Sequence, residues 1–170
     1  MNDQVKEQFV ESWGSMGMLW GINRSMARIH ALLIATEEPM TLDDICAELQ
    51  ISRGNASMSL KELRSWRVIQ RVHVPGDRRD FYVTEQDVWA MFFRIADERK
   101  RREFDPAIGA VKQALDATTE TDSKVRERLE QMGELLTIMD RVMSHALSDE
   151  KRSHTLLQLA TKMLGLDEAS

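Results

Sequence analysis

Arg53, Ser57, Lys61 and Arg64 recur at helical spacing, and at about 100° per residue they fall within roughly 80° of one another. Cations so placed neutralise phosphates and reach the acceptor edge of guanine, while short hydroxyl and amide groups position a helix or contact bases. Ser57 and Asn55 are such groups, and Ser52 stands at the start of the same helical pattern. Two further cations, Arg78 and Arg79, follow the turn-forming run Pro75-Gly76-Asp77. Recognition of a polyanion is the chemistry this set suits, and the candidate contacts are Ser52, Arg53, Asn55, Ser57, Lys61, Arg64, Arg78 and Arg79. Catalysis is not suggested. His30, His73, His145 and His154 show no zinc spacing with Cys46 or with one another, and no phosphate loop or nucleophile elbow is present. No enzyme activity, cofactor or metal is expected.

The elements that must carry these residues can be read on either side of them. Thr41 followed by Asp44 is a capping box, and Leu42, Ile45, Cys46 and Leu49 then form one apolar stripe. Gln50 and Ile51 interrupt it, and Ser52 is the next N-cap, opening a helix whose inward set is Ala56, Ser59, Leu60 and Leu63. A β-branched run follows, in which Val68, Gln70 and Val72 alternate with Ile69, Arg71 and His73. The turn comes next, and Phe81, Tyr82 and Val83 resume a strand. Two short helices, a polar turn and a basic hairpin are the order of a winged helix-turn-helix. Its second helix enters a major groove and its wing sets cations beside the backbone or in the minor groove.

Charge is distributed to match. Residues 52–84 hold seven basic side chains against three acidic ones, a net of +4, whereas the remainder holds 16 basic against 25 acidic, a net of −9. The overall charge of −5 therefore conceals a basic module on an acidic body, and does not argue against DNA. At 170 residues with 42% hydrophobic content, a small regulator with a core is expected, not a disordered chain. The single cysteine, Cys46, excludes a disulfide framework within one chain; it reads as a small buried hydrophobe in a reduced cytoplasm. Asp3, Glu7 and Glu11 interrupt the N-terminus before any secretion signal develops, and no run approaches a membrane span.

Outside the module the chain reads as helices. Phe9, Trp13, Met16 and Trp20 make one large apolar face, with Gly14, Gly17 and Gly21 thinning another side for a close neighbour or a ligand. From about Ser25 to Ala35, Met26, Ile29, Leu32 and Leu33 point inward. After the wing, Val88, Trp89, Phe92, Phe93 and Ile95 form an aromatic helix that becomes strongly charged from Asp97 to Glu103, and Phe104-Asp105-Pro106 predicts a break and a new start. Val125, Leu129, Met132, Leu136, Met139, Met143 and Ala146 follow a heptad, widened by Leu135, Val142 and Leu147, which favours a small helical bundle and a partner copy. A last helix, from about Asp149 to Leu164, offers Leu156, Leu157, Ala160, Met163 and Leu164, with Gly165 as its cap. The fold class expected is mainly α with a small β-hairpin wing: an N-terminal helix for dimerisation or effector binding (1–21), a winged helix-turn-helix (22–85), and a linker helix with a C-terminal helical dimerisation region (86–170).

The run Ser52-Arg53-Gly54-Asn55-Ala56-Ser57-Met58-Ser59-Leu60-Lys61-Glu62-Leu63, then Trp66-Arg67-Val68-Ile69, then Gly76-Asp77-Arg78-Arg79-Asp80-Phe81-Tyr82, resembles the MarR-superfamily regulators. Within them it is most similar to the GbsR branch, named for the repressor of glycine-betaine synthesis genes. That resemblance covers roughly residues 40–105, including Glu98-Arg99-Lys100-Arg101-Arg102-Glu103. It implies a homodimer on double-stranded operator DNA, acting as a repressor released by a small-molecule inducer, choline or a related quaternary ammonium osmolyte. A quaternary ammonium is held by aromatic faces, so Trp13, Trp20, Trp89 and Phe93 are the effector candidates. The alternative is a winged helix that has lost DNA binding and acts as a protein-interaction module through its helical dimer surface.

Overall fold

In the computed structural model the described residues are 2–119, 123–148 and 150–163, and they form two compact units meeting between Met91 and Phe92. The first begins with α1 (Asp3–Leu19), capped by the Asn2 side chain, and α2 (Arg24–Ile34), capped by Asn23. Met26, Ile29, Leu32 and Leu33 of α2 are fully buried, as their spacing predicts. Against α2, however, α1 turns Val10, Gly14 and Gly17, not the larger Phe9, Trp13, Met16 and Trp20, which stay half-buried or exposed. The glycines decide this. A Cβ on Gly17 would stand 2.5 Å from the Ala27 Cβ, and one on Gly14 would stand 2.6 Å from Arg28 Cγ, so two backbones approach here at a distance that any side chain would prevent.

The helix-turn-helix follows. β1 (Met40–Thr41) leads directly into α3 (Leu42–Leu49), and the Thr41–Asp44 capping box is complete in both directions. Gln50 ends α3 in the left-handed region at φ 51°. Ser52 caps α4 (Arg53–Ser65), whose Ala56, Ser59, Leu60 and Leu63 are buried. β2 (Ile69–Val72) and β3 (Phe81–Thr84) form the wing, and β1 adds a third antiparallel strand in the order β1-β3-β2, with Thr41 opposite Phe81 and Val72 opposite Phe81 on the other side. That third strand is not expected from sequence, because two residues carry no detectable alternation. The wing turn is closed by Asp77 N–H donating to the Val74 carbonyl 3.1 Å away, with Gly76 at φ +85°. Proline at the second position and a positive-φ glycine at the third are what a type II turn requires.

α5 (Val88–Arg99) opens at the end of this unit, and the second unit continues with a π-helical segment (Lys100–Phe104), α6 (Asp105–Ala117), α7 (Ser123–Leu147) and α8 (Glu150–Met163). The new start expected at Phe104-Asp105-Pro106 falls where α6 begins, with Pro106 in its first turn, but no non-helical break precedes it. Pro106 has no N–H for the preceding turn, and the helix widens to accommodate it, with Asp105 N–H donating to the Lys100 carbonyl five residues back. α6 packs on α7 across Gly133, where the nearest side-chain atoms are Leu115 Cδ1 at 3.7 Å and Val111 Cγ1 at 3.8 Å from a hypothetical Cβ. Lys100 joins Asp105 and Asp140, each at 2.7 Å. Along α7 no described residue is buried, and Val125, Met132, Leu135, Ile138, Met139 and Val142 are all exposed. Leu164, Gly165 and Asp149 lie outside the described residues, as do the side chains of Leu156, Leu157 and Ala160. Among the described residues no helix is long and apolar enough to cross a membrane, and none form a group of metal ligands.

Candidate nucleic-acid interface

α4 is held in place from behind. The Asn55 amide nitrogen donates to Ser25 Oγ on α2 at 2.8 Å, and Ser59 Oγ donates to Asn55 Oδ1 at 3.5 Å. Asn55 is thus half-buried and committed to fixing the rotation of α4 about its own axis, while Ser52 is committed to the Asn55 N–H at 3.3 Å as the cap. Both lie in the first turn, but their polar groups already serve the fold. The inward polarity of Asn55 cannot be read from spacing alone, because its partner is 30 residues earlier in the chain.

With that rotation fixed, Arg53, Ser57, Lys61 and Arg64 are exposed together on one side of α4. Arg53 pairs with Asp43 of α3, both side chains well exposed. Exposed pairs of this kind contribute about 0.2–1 kcal/mol, so a phosphate or a guanine edge can displace the carboxylate.

The two wing cations divide sharply. Arg79 closes back on the turn: its Nε lies 2.9 Å from Asp77 Oδ2, its Nη2 2.5 Å from the same oxygen, and its guanidinium sits 5.4 Å from the centre of the Phe81 ring. The Arg79 backbone N–H also donates to Asp77 Oδ1 at 2.9 Å. These hydrogen bonds hold the Asp77 carboxyl down to about 2. Arg78, beside it, is exposed at the tip. At the strand above, Arg71 pairs with Asp80 at 3.1 Å. Both cations are exposed, Arg78 at the tip, and Arg79 in addition rigidifies the turn that presents them.

The four aromatic candidates are placed differently from one another. Trp13 is half-buried against Phe9, ring centres 5.6 Å apart. Trp20 is the exposed C-cap of α1, and Trp89 is exposed in the first turn of α5. Phe93 is buried in the second unit, edge-on to Phe92 at 5.7 Å. None of the four lines the cavity of about 490 Å³ between α1, Arg28 and the end of α3. That cavity is walled by charge: Lys6 bonds Glu48 at 2.5 Å, and Arg28 bonds Glu11 at 2.7 Å and the Leu49 carbonyl at 3.3 Å.

Helix, turn, helix and a stiffened basic hairpin, with the second helix's cations turned outward, define a winged helix-turn-helix protein. The model of the MarR family matches residues 20–80, which span the helix-turn-helix and the first part of the wing. The chain is similar to the HTH-type transcriptional repressor GbsR of Bacillus subtilis (strain 168), with 27% identity over 112 residues that cover 66% of this chain and 62% of the repressor. It is also similar to the putative regulator YvaV of the same organism, at 23% identity and 52% of that protein's length. The matches thus span about half to three-fifths of these two relatives. The HTH-type transcriptional regulator MmpR5 of Mycobacterium tuberculosis (strain ATCC 25618 / H37Rv) is 28% identical over 142 residues, 82% of this chain and 83% of its own. A crystal structure of a transcriptional regulator has the same fold, with a TM-score of 0.64, 23% identity, and coverage of 84% of this chain and 95% of that one.

Proposed function

We propose that the chain is a cytoplasmic, homodimeric, sequence-specific DNA-binding repressor that a small-molecule inducer releases from its operator. The observation that carries this is the outward set Arg53, Ser57, Lys61 and Arg64 on a helix whose rotation is locked by the Asn55–Ser25 hydrogen bond, with Arg78 exposed on the neighbouring wing. A groove-reading helix needs that fixed orientation, since base contacts tolerate little rotation. The exposed apolar face of α7 supplies a surface for a second copy, as two-fold operators demand. The exposed indoles of Trp20 and Trp89 supply faces for a quaternary ammonium such as choline, as the likeness to GbsR suggests.

The test is binding to the duplex upstream of the chain's own coding region, measured at several salt concentrations with and without choline. Wild type is expected to bind with a steep salt dependence that choline weakens. Arg78→Ala should weaken every sequence alike and lower the salt slope by about one per protomer. Arg53→Ala should instead remove about 1–3 kcal/mol of discrimination at one base pair. Absence of salt-dependent binding to any duplex would overturn the reading and leave the protein-interaction module. Binding indifferent to choline would remove that inducer alone.

A further inference from the structure

Among the exposed residues of α4, Met58 is the apolar one, and it stands 75% exposed amid Ser57, Lys61 and Gly54. Taking the buried set Ala56, Ser59, Leu60 and Leu63 as inward, steps of about 100° put Gly54, Ser65, Lys61 and Met58 nearest the opposite pole of the helix, with Arg53 and Arg64 on its flank. Gly54 and Met58 are four residues apart and so adjoin along the surface. Gly54 is not required by the protein's own packing. A Cβ there would meet nothing within 4 Å, and its φ is not in the left-handed region. A glycine within a helix destabilises it relative to alanine, and an exposed methionine at the centre of a polar face gains nothing within the chain. Both become intelligible if something external seats against them.

We propose that Met58 reads thymine C5-methyl groups in the major groove, and that Gly54 leaves the room for the first turn of α4 to come close enough for it to do so. The inference rests on the DNA-binding reading above. The C5-methyl of thymine is the apolar group that base edges present in the major groove, and apolar side chains recognise it by contact. Methionine suits this, because its unbranched thioether adapts to a methyl without a fixed rotamer. The polar residues around it then serve as phosphate and guanine contacts, and Met58 adds discrimination of thymine from cytosine that they do not provide.

Deoxyuridine lacks only the methyl, so it isolates this contact. Genomic fragments retained by the full-length protein would be footprinted, and each thymine in the protected site replaced singly by deoxyuridine. In wild type, at one or two thymines per half-site, the replacement is expected to weaken binding about fourfold, the size of one buried methyl. In Met58→Ala the thymine duplex should weaken similarly and the deoxyuridine penalty should vanish. Gly54→Leu should raise the thermal midpoint slightly, through helix propensity, yet weaken every duplex by about tenfold or more. Equal affinity for thymine and deoxyuridine at every position, or a penalty that persists in Met58→Ala, overturns this inference and leaves the DNA-binding reading standing. Failure to retain any duplex overturns both.

Discussion

Gly17→Ala is expected to destabilise the protein by about 2 kcal/mol, although alanine is the better helix former. The propensity gain is about 1 kcal/mol. It is outweighed because the new methyl would stand 2.5 Å from the Ala27 Cβ, and neither atom can rotate away. α1 and α2 must then separate, and overpacking of this kind typically costs about 1–3 kcal/mol net. The compensating change is Ala27→Gly, which removes the opposing methyl. Alone it should destabilise through helix propensity, but combined with Gly17→Ala it should recover most of the clash. Urea unfolding of the two single variants and the double variant measures the coupling. Additive losses would mean that the two helices are not in contact as described.

The second large effect concerns His30. It lies on α2, 3% exposed, and its Nε2 has no hydrogen-bond partner among the described residues. Burial alone pushes its pKa down to about 4 from the ordinary value of 6.5, because an imidazolium there would lose its hydration. The folded protein therefore binds this proton less readily than the unfolded chain does. Stability is complete above pH 6.5, declines as the pH falls through 6.5, and levels off below about 4. With about 1.4 kcal/mol per unit, the total loss is about 3.5 kcal/mol. The carboxylates held low in the same unit act elsewhere: Asp77 and Asp44 start from 3.8 and are depressed, so their contributions are lost only below that value. Unfolding free energies measured between pH 7 and pH 4 should thus slope with wild type and flatten in His30→Leu. A slope unchanged by that substitution would assign the effect to another group.

His30 also illustrates how unevenly the fold could be read from the chain. Its helix was legible, since Met26, Ile29, Leu32 and Leu33 keep a strict helical period and all four are buried. The caps Thr41 and Ser52 and the inward set of α4 were legible for the same reason: each is a local pattern with a local cause. What could not be read was whatever depends on a distant partner. The glycines of α1 suggested a close neighbour, but only the position of Ala27 shows why the small side, not the aromatic one, faces α2. The tilted rings of Phe9 and Trp13 look like the better core face, and area alone would favour them. Helix approach decides otherwise. The new helix expected at Phe104-Asp105-Pro106 begins there without the break before it, because the loss of one hydrogen bond is absorbed by widening a single turn. In the candidate interface, Lys61, Arg64 and Ser57 were predictable as an exposed sector, whereas the division of labour between Arg78 and Arg79 was not, since it turns on how Asp77 folds back.

Thr41 is a joint between the wing sheet and the first helix of the helix-turn-helix. Its backbone belongs to β1 and is paired opposite Phe81 of the wing, while its hydroxyl and N–H close the capping box with Asp44 at the head of α3. A tilt of the hairpin is therefore carried by one residue into the first helix of the helix-turn-helix, without a loop to absorb it. The wing is therefore not hinged independently of the helices. It behaves as an outrigger, braced to α3 through the register of Thr41 with Phe81.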